Sequence, residues 1–233
     1  MQRYFVDNDN LSLSDEQIHH LTKVVRSHIG EEFEIVYAGT ATRFLITSLS
    51  PLKYEAISKS LNDSELPLNL TLLYCLPKGE KLELVIQKAT EIGVSEIILV
   101  RSSRCIMKIK KEDEDKKLMR YQKIALEASE QSHRLKVPVI NKIIDFNDIS
   151  KYQFSKGYIA YENEDNFSFH KEVFRRGDSI GIIVGPEGGF SRDEVEFAEK
   201  NNYRSVTLGK RILRSETACI YALSVLSYLV EDL

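Results

Sequence analysis

The chain has 233 residues, 42% hydrophobic and 29% charged, with 32 Lys and Arg against 35 Asp and Glu for a net charge of −3. That balance excludes a uniformly basic coat that would bind any polyanion by counterion release, and the apolar content excludes the low-hydrophobicity regime of disordered chains. Cys75, Cys105 and Cys219 lie far apart, with no CxxC pair and no histidine at ligand spacing, so neither a disulfide scaffold nor a metal module is expected.

The opening stretch MQRYFVDNDN lacks an apolar h-region, and no run approaches the ~18 apolar residues of a membrane span, so a soluble cytoplasmic protein with no membrane partner is expected. The first sixty residues then alternate apolar and polar side chains at Arg3–Val6, Phe33–Tyr37, Thr42–Ile46 and Tyr54–Ile57, with Gly30 and Gly39 as turn residues. Period two predicts strands, and their spacing predicts a small barrel-like β domain. One helix interrupts them, entering at Ser14 through a capping box with Gln17 and running to about Arg26. Its adjacent His19 and His20 point to different faces, which gives them no metal role. The polar stretch Asn62–Pro67 reads as a linker, dividing the chain into domains of residues 1–66 and 67–233.

After Pro67 strands and helices alternate. Leu68–Leu76 is nearly all apolar, as a strand covered on both faces should be. Leu82, Val85, Ile86, Ala89 and Ile92 recur at helical spacing and stop at Gly93, before a second buried strand at Glu96–Val100. This βαβ unit implies a parallel sheet and an α/β fold. A helix over about Lys116–Ser132, strands at Val137–Ile144, Gly157–Tyr161, Ser179–Val184 and Ser205–Leu208, and helices at Arg192–Lys200 and Ser215–Val230 complete the pattern. The last helix is apolar nearly all round, which predicts burial in the core or against another subunit.

Two stretches carry chemistry. In Ser179–Ser191, SIGIIVGPEGGFS, a buried strand runs into a glycine-rich loop, and Ser191 with Glu194 forms a capping box for the next helix. Ligands of open α/β sheets sit beyond the carboxyl ends of strands, where this loop lies. Neither GxxxxGK[ST] nor GxGxxG is present, and Glu187 would repel phosphate, so a neutral or cationic ligand fits better than a polyphosphate. A tight turn that needs glycine for positive φ is the alternative. In Leu208–Ala218, LGKRILRSETA, a second strand meets a helix with Ser215 as the expected N-cap, and Lys210, Arg211 and Arg214 precede the partly positive helix terminus. Such a local conflict is characteristic of functional sites, although a solvated basic turn has the same pattern.

GPEGGFS and LGKRILRSETA, together with KGEKLELVIQKATEIGV and ALEASEQSHRLKVPVI, resemble the bacterial small-subunit ribosomal RNA uridine-N3 methyltransferases of the SPOUT superfamily. The likeness covers nearly the whole chain. It implies a knotted C-terminal α/β domain, a deep trefoil in which the chain after about Gly181 threads an earlier loop, with a small N-terminal PUA-like β-barrel. It also implies S-adenosylmethionine as cofactor and a homodimer acting on 16S ribosomal RNA or the small ribosomal subunit.

The resemblance assigns cofactor contacts to Tyr161, Glu162, Val184, Gly185, Glu187, Gly188, Gly189, Leu208, Gly209, Ile212, Leu213 and Thr217. Glu162 would accept from the ribose hydroxyls, an exposed strand-end carboxylate being the alternative. Methylating uracil N3 needs its proton removed and charge on the flanking carbonyl oxygens stabilised, for which a planar, permanent guanidinium is suited. Arg214 is expected in that role, with Glu130, Gln131 and Arg134 positioning the base or its backbone, although Glu130 and Arg134 are also spaced for an ordinary i,i+4 ion pair. RNA is expected at Arg3, Lys23, Arg26 and Arg43 of the first domain, and at Arg101 and Arg104. The latter two open a segment, residues 101–123, with nine basic residues against four acidic ones. A solvated charged loop is the alternative for that segment. A related enzyme acting on ribose 2′-O or another base, or a non-catalytic RNA-binding protein of the same fold, are the competing functions.

Overall fold

The computed structural model describes residues 1–59 and 64–233. The first two residues of the expected linker, Asn62 and Asp63, lie outside the described residues. The chain forms two compact units, one of residues 1–65 with 126–136 and one of residues 66–125 with 137–233. The division falls next to the expected boundary, but the segment 126–136 joins the first unit. Glu65 shows why. Its carboxylate pairs with Arg134 at 2.6 Å and accepts from the N–H groups of Leu135 and Lys136.

The first unit holds a four-stranded sheet in the order β1 (Gln2–Phe5), β2 (Glu32–Tyr37), β3 (Thr40–Leu49), β4 (Leu52–Lys59). β1 runs parallel to β2, and the other pairs are antiparallel. No pairing of β4 with β1 closes it into a ring among the described residues. Alternation buries Tyr4, Phe33, Ile35, Phe44 and Ile46 on one face with Leu13 and Leu21. The expected helix is shorter and less regular than its pattern. The capping box of Ser14 and Gln17 forms, but α1 covers only Asp15–His19. His20–Val24 is a π-helical turn, with Val25 donating to His20, and Arg26 at φ 58° ends it.

The second unit is a six-stranded, wholly parallel sheet in the order β10-β8-β9-β5-β6-β7, of Tyr203–Val206, Lys156–Ala160, Ser179–Val184, Asn69–Cys75, Glu96–Arg101 and Ile143–Asp145. The continuous apolar run of β5 is explained by two core layers. Leu70, Leu72 and Tyr74 enter one layer, with α2 (Lys81–Ile92) and α5 (Ser215–Val230), while Leu73 and Cys75 enter the other, with Val195 and Ala198 of α4 (Arg192–Lys200). α2 buries Leu82, Val85, Ile86 and Ala89 and stops at Gly93, a left-handed cap with φ 112°. The helix α3 (Glu114–Gln131) follows the basic loop.

Three strand expectations are corrected. Val137–Ile144 pairs with β6 only from Ile143, with Val139 forming one isolated bridge to Glu96, while the Pro138 carbonyl and the Ile140 N–H are bonded to the Gln122 side chain. Tyr161 and Leu208 leave their strands, β8 ending at Ala160 and β10 at Val206, which frees both for the loops beyond. α5 buries Cys219, Ala222, Leu223, Leu226 and Val230, but Tyr228 is 85% exposed and Tyr221 45%.

Candidate functional site

A cavity of about 460 Å³ opens beyond the carboxyl ends of β8, β9 and β10. Three loops wall it: Tyr161–Asp165, Gly185–Phe190 and Thr207–Ser215, with Ala218 of α5 closing one side. The glycine loop must turn tightly. Gly189 sits at φ 65°, and a Cβ there would lie 2.8 Å from Oε1 of Glu162, so a larger residue is strained by backbone and by contact alike. Behind the loop Ser191 caps α4, its Oγ accepting from the Glu194 N–H while Glu194 accepts from the Ser191 N–H at 2.9 Å. The other Glu194 oxygen takes the Ser103 N–H at 2.7 Å, tying the loop after β6 to this helix.

The glycine loop is anchored to the Leu208–Arg214 loop by a residue expected elsewhere. Ser215 is not the N-cap of α5. Arg214 holds that position without a side-chain hydrogen bond, and Ser215 is the first helical residue. Its Oγ donates to the Gly185 carbonyl at 2.6 Å and lies 3.0 Å from the Tyr74 hydroxyl, whose pKa burial pushes up. The loop after β6 adds a further tie, the Arg104 guanidinium donating to the Gly188 carbonyl at 2.8 Å.

The charge of Glu187 is used differently from the sequence expectation. Its carboxylate does not stand free against a ligand. It pairs with Lys81 at 3.0 Å and accepts from the Lys78 N–H, and although burial opposes ionisation these partners hold its pKa below the usual glutamate value. The remaining charges along the cavity are Glu162 and Asp165 on one loop and Lys210, Arg211 and Arg214 on another. Arg214 is exposed and has no ion pair among the described residues. Burial raises the thiol pKa values of Cys75 and Cys219, which makes them inert core residues rather than nucleophiles. Among the described residues no group of His, Cys, Asp and Glu is set to hold a metal ion, and no helix is long and apolar enough to cross a membrane.

Residues 64–227 match the family model of the RNA methyltransferase domain. Over 99% of its length the chain is 34% identical to ribosomal RNA small subunit methyltransferase E of Bacillus subtilis, of which it covers 98%. The chain belongs to the ribosomal RNA small subunit methyltransferase E family. A relative of the same name from Mesomycoplasma hyopneumoniae is 35% identical, over 96% of this chain and 98% of that one. Among solved structures, ribosomal RNA small subunit methyltransferase E from Neisseria gonorrhoeae bound to S-adenosyl methionine superposes with a TM-score of 0.87 at 31% identity, covering 98% of each chain. A putative methyltransferase from Legionella pneumophila in complex with the same cofactor gives 0.86 at 28% identity, over 97% of this chain and 96% of that one.

Within this family frame, the cavity gathers Tyr161, Glu162, Val184, Gly185, Glu187, Gly188, Gly189, Leu208, Gly209, Ile212, Leu213 and Arg214. Thr217 is exposed on α5 and does not line it, its place being taken by Ala218 and Ser215 one turn of helix apart. Asp165, Thr207 and Phe190 also line it, although the sequence does not single them out. Asp165 has no signal in the sequence, because it follows a strand end in an irregular segment with no periodicity to read.

Glu130 and Arg134 belong to the first unit and do not line the cavity. Arg134 is 2% exposed and committed to Glu65, so it is a buried clamp and not a group open to a nucleobase. Glu130 accepts from the Phe5 N–H, and burial pushes its carboxyl up to about 7. Arg3 is likewise 2% exposed: it pairs with Glu34 and donates to the carbonyls of His133 and Arg134, which removes it from any RNA-facing surface. Lys23 and Arg26 are exposed on the irregular turn. Arg43 is half-buried and pairs with Glu32 at 3.5 Å, and Arg101 is engaged by Glu114 and Asp145. The adjacent histidines separate as expected, His20 meeting the Tyr4 hydroxyl at 2.9 Å.

Proposed function

We propose that this chain methylates N3 of a uridine in 16S ribosomal RNA, with S-adenosylmethionine as donor, in the cytoplasm and as a homodimer. The observation that carries this reading is the cavity itself, walled by the GPEGG and LGKRILR loops at the carboxyl end of a parallel sheet. It is supported by the cofactor in the related solved structures.

The residues present fit that cofactor. A polyphosphate would seek the amides of the helix behind the loop, but the reciprocal cap of Ser191 and Glu194 already occupies donors there. The apolar faces of Val184, Leu208, Leu213 and Ala218 suit an adenine ring. Glu162 and Asp165 offer carboxylate acceptors for hydroxyl and ammonium groups. When bound, S-adenosylmethionine supplies an electrophilic methyl group on a sulfonium. Arg214, placed at the cavity and not neutralised by a neighbour, would hold the carbonyl oxygens of the uracil as its N3 proton passes to solvent water and charge spreads onto them. Lys210 and Arg211 beside it hold the RNA backbone.

The homodimer is supported by the exposed Tyr221 and Tyr228 on an otherwise apolar helix. Calorimetry with S-adenosylmethionine, followed by nucleoside mass analysis of ribosomal RNA incubated with protein and donor, tests the activity. Binding and 3-methyluridine are expected, and any other methylated nucleoside overturns the assignment. Sedimentation equilibrium at micromolar concentration is expected to give twice the chain mass.

A further inference from the structure

The loops around the cavity come from separate parts of the chain, and loops of this kind lack intrinsic rigidity. One side chain outside the cavity bridges them. Lys81, the first residue of α2, places its Nζ 3.0 Å from Oε1 of Glu187 in the glycine loop and 3.0 Å from Oε2 of Glu216 in the first turn of α5. Glu187 is further fixed by the N–H of Lys78, three residues before Lys81, so the glycine loop has two ties to this segment. Lys81 is absent from the cavity lining, so it acts on the donor only through the residues it holds.

We propose that Lys81 is a positioning residue of the donor site, its ammonium group clamping the glycine loop to the N-terminal turn of α5 so that Gly185–Gly189 and Leu208–Arg214 keep the spacing the donor requires. The proposal rests on S-adenosylmethionine being that donor. Its physical basis is charge. Glu187 and Glu216 both contact one nitrogen, and without that cation two carboxylates would face each other across the loops and push them apart. The bridge therefore does more than add an attraction, because it cancels a repulsion that the sequence builds into the site. Glu216 lies in the first turn of α5, where the helix dipole favours a carboxylate.

Lys81→Met keeps most of the aliphatic stem and removes the charge. The expected result is an affinity for S-adenosylmethionine lowered about tenfold by calorimetry, with the donor KM rising in parallel and kcat at saturating donor kept within about threefold. The RNA KM is expected not to move. Lys81→Arg restores donor affinity, and adding Glu216→Gln to Lys81→Met recovers part of it by removing one of the opposed charges. Equal donor affinity in Lys81→Met and the unaltered chain overturns the proposal, as does failure of Lys81→Arg to restore it. Should Lys81→Met fail to fold, Lys81→Gln removes the same charge, and unchanged donor affinity there also overturns the proposal. If the unaltered chain binds no S-adenosylmethionine, the donor reading fails and this proposal with it, an outcome distinct from equal affinities.

Discussion

Arg214 differs from Arg3, Arg101, Arg104 and Arg134 in what its guanidinium touches. Arg3 and Arg134 are buried against Glu34 and Glu65, Arg101 is held by Glu114 and Asp145, and Arg104 binds the Gly188 carbonyl. Arg214 lines the cavity with no ion pair among the described residues, so its full charge is available. Arg214→Ala is expected to lower kcat for methyl transfer by about 10²–10³, the cost of removing one transition-state charge stabiliser, with donor affinity unchanged by calorimetry. Glu130 gives a prediction of another kind. Burial raises its carboxyl from the ordinary glutamate value of 4.5 to about 7, so the folded chain keeps that proton to higher pH than the unfolded chain. Between those values the folded state binds more protons and stability falls as pH rises, the loss being complete above about 7. Glu130→Gln preserves an acceptor for the Phe5 N–H and removes the titration. In urea melts it is expected to match the unaltered chain at pH 4 and exceed it by about 1–2 kcal/mol at pH 8, a magnitude reduced for partial solvation.

At the scale of elements, what the sequence revealed was local. The capping boxes of Ser14 with Gln17 and of Ser191 with Glu194 both form, since each involves residues three apart. The ranges of β9, α4 and α5 match expectation because each is marked locally, β9 and α5 by continuous apolar runs and α4 by its capping box. The helix expected to reach Arg26 does not, because Val25 donates five residues back and Arg26 takes a left-handed conformation, neither of which hydrophobic spacing encodes. Nor did spacing show that Glu194 has a second partner in Ser103. Loss of both interactions makes Glu194→Ala worth about 2 kcal/mol of stability in urea melts, roughly twice what a cap alone contributes. The same variant is expected to increase proteolytic nicking near Ser103, since it releases that N–H.

For the whole molecule, the net charge of −3 averages over distinct surfaces. In the first unit the buried pairs of Arg3 with Glu34 and Arg134 with Glu65 take two of its cations out of play, while Lys23 and Arg26 stay exposed. RNA binding by that unit is therefore expected to depend on these two. Reversing both to Glu should weaken RNA binding about tenfold at moderate salt and reduce the slope of log affinity against log salt by about 1–2. Filter binding across a salt series measures both, and donor affinity should be unaffected.

The two-layered burial of β5, the parallel sheet, the glycine loop, the capping boxes of Ser14 and Ser191 and the family are legible before folding, because each is written in neighbouring residues or in a continuous motif, whereas the cap expected at Ser215 is not. Tertiary structure alone decided which charges are free. Arg3 and Arg134 look like RNA or base contacts in the sequence and prove to be buried clamps, Thr217 turns away from the cavity, and residues 126–136 join the first unit through Glu65. Glu187 reads in the sequence as repelling a ligand, yet it answers to Lys81, 106 positions away in the chain. Local pattern reports only the neighbours three and four residues along a helix or two along a strand. The partner of a charged side chain is set by where the backbone returns, and that is a property of the folded chain.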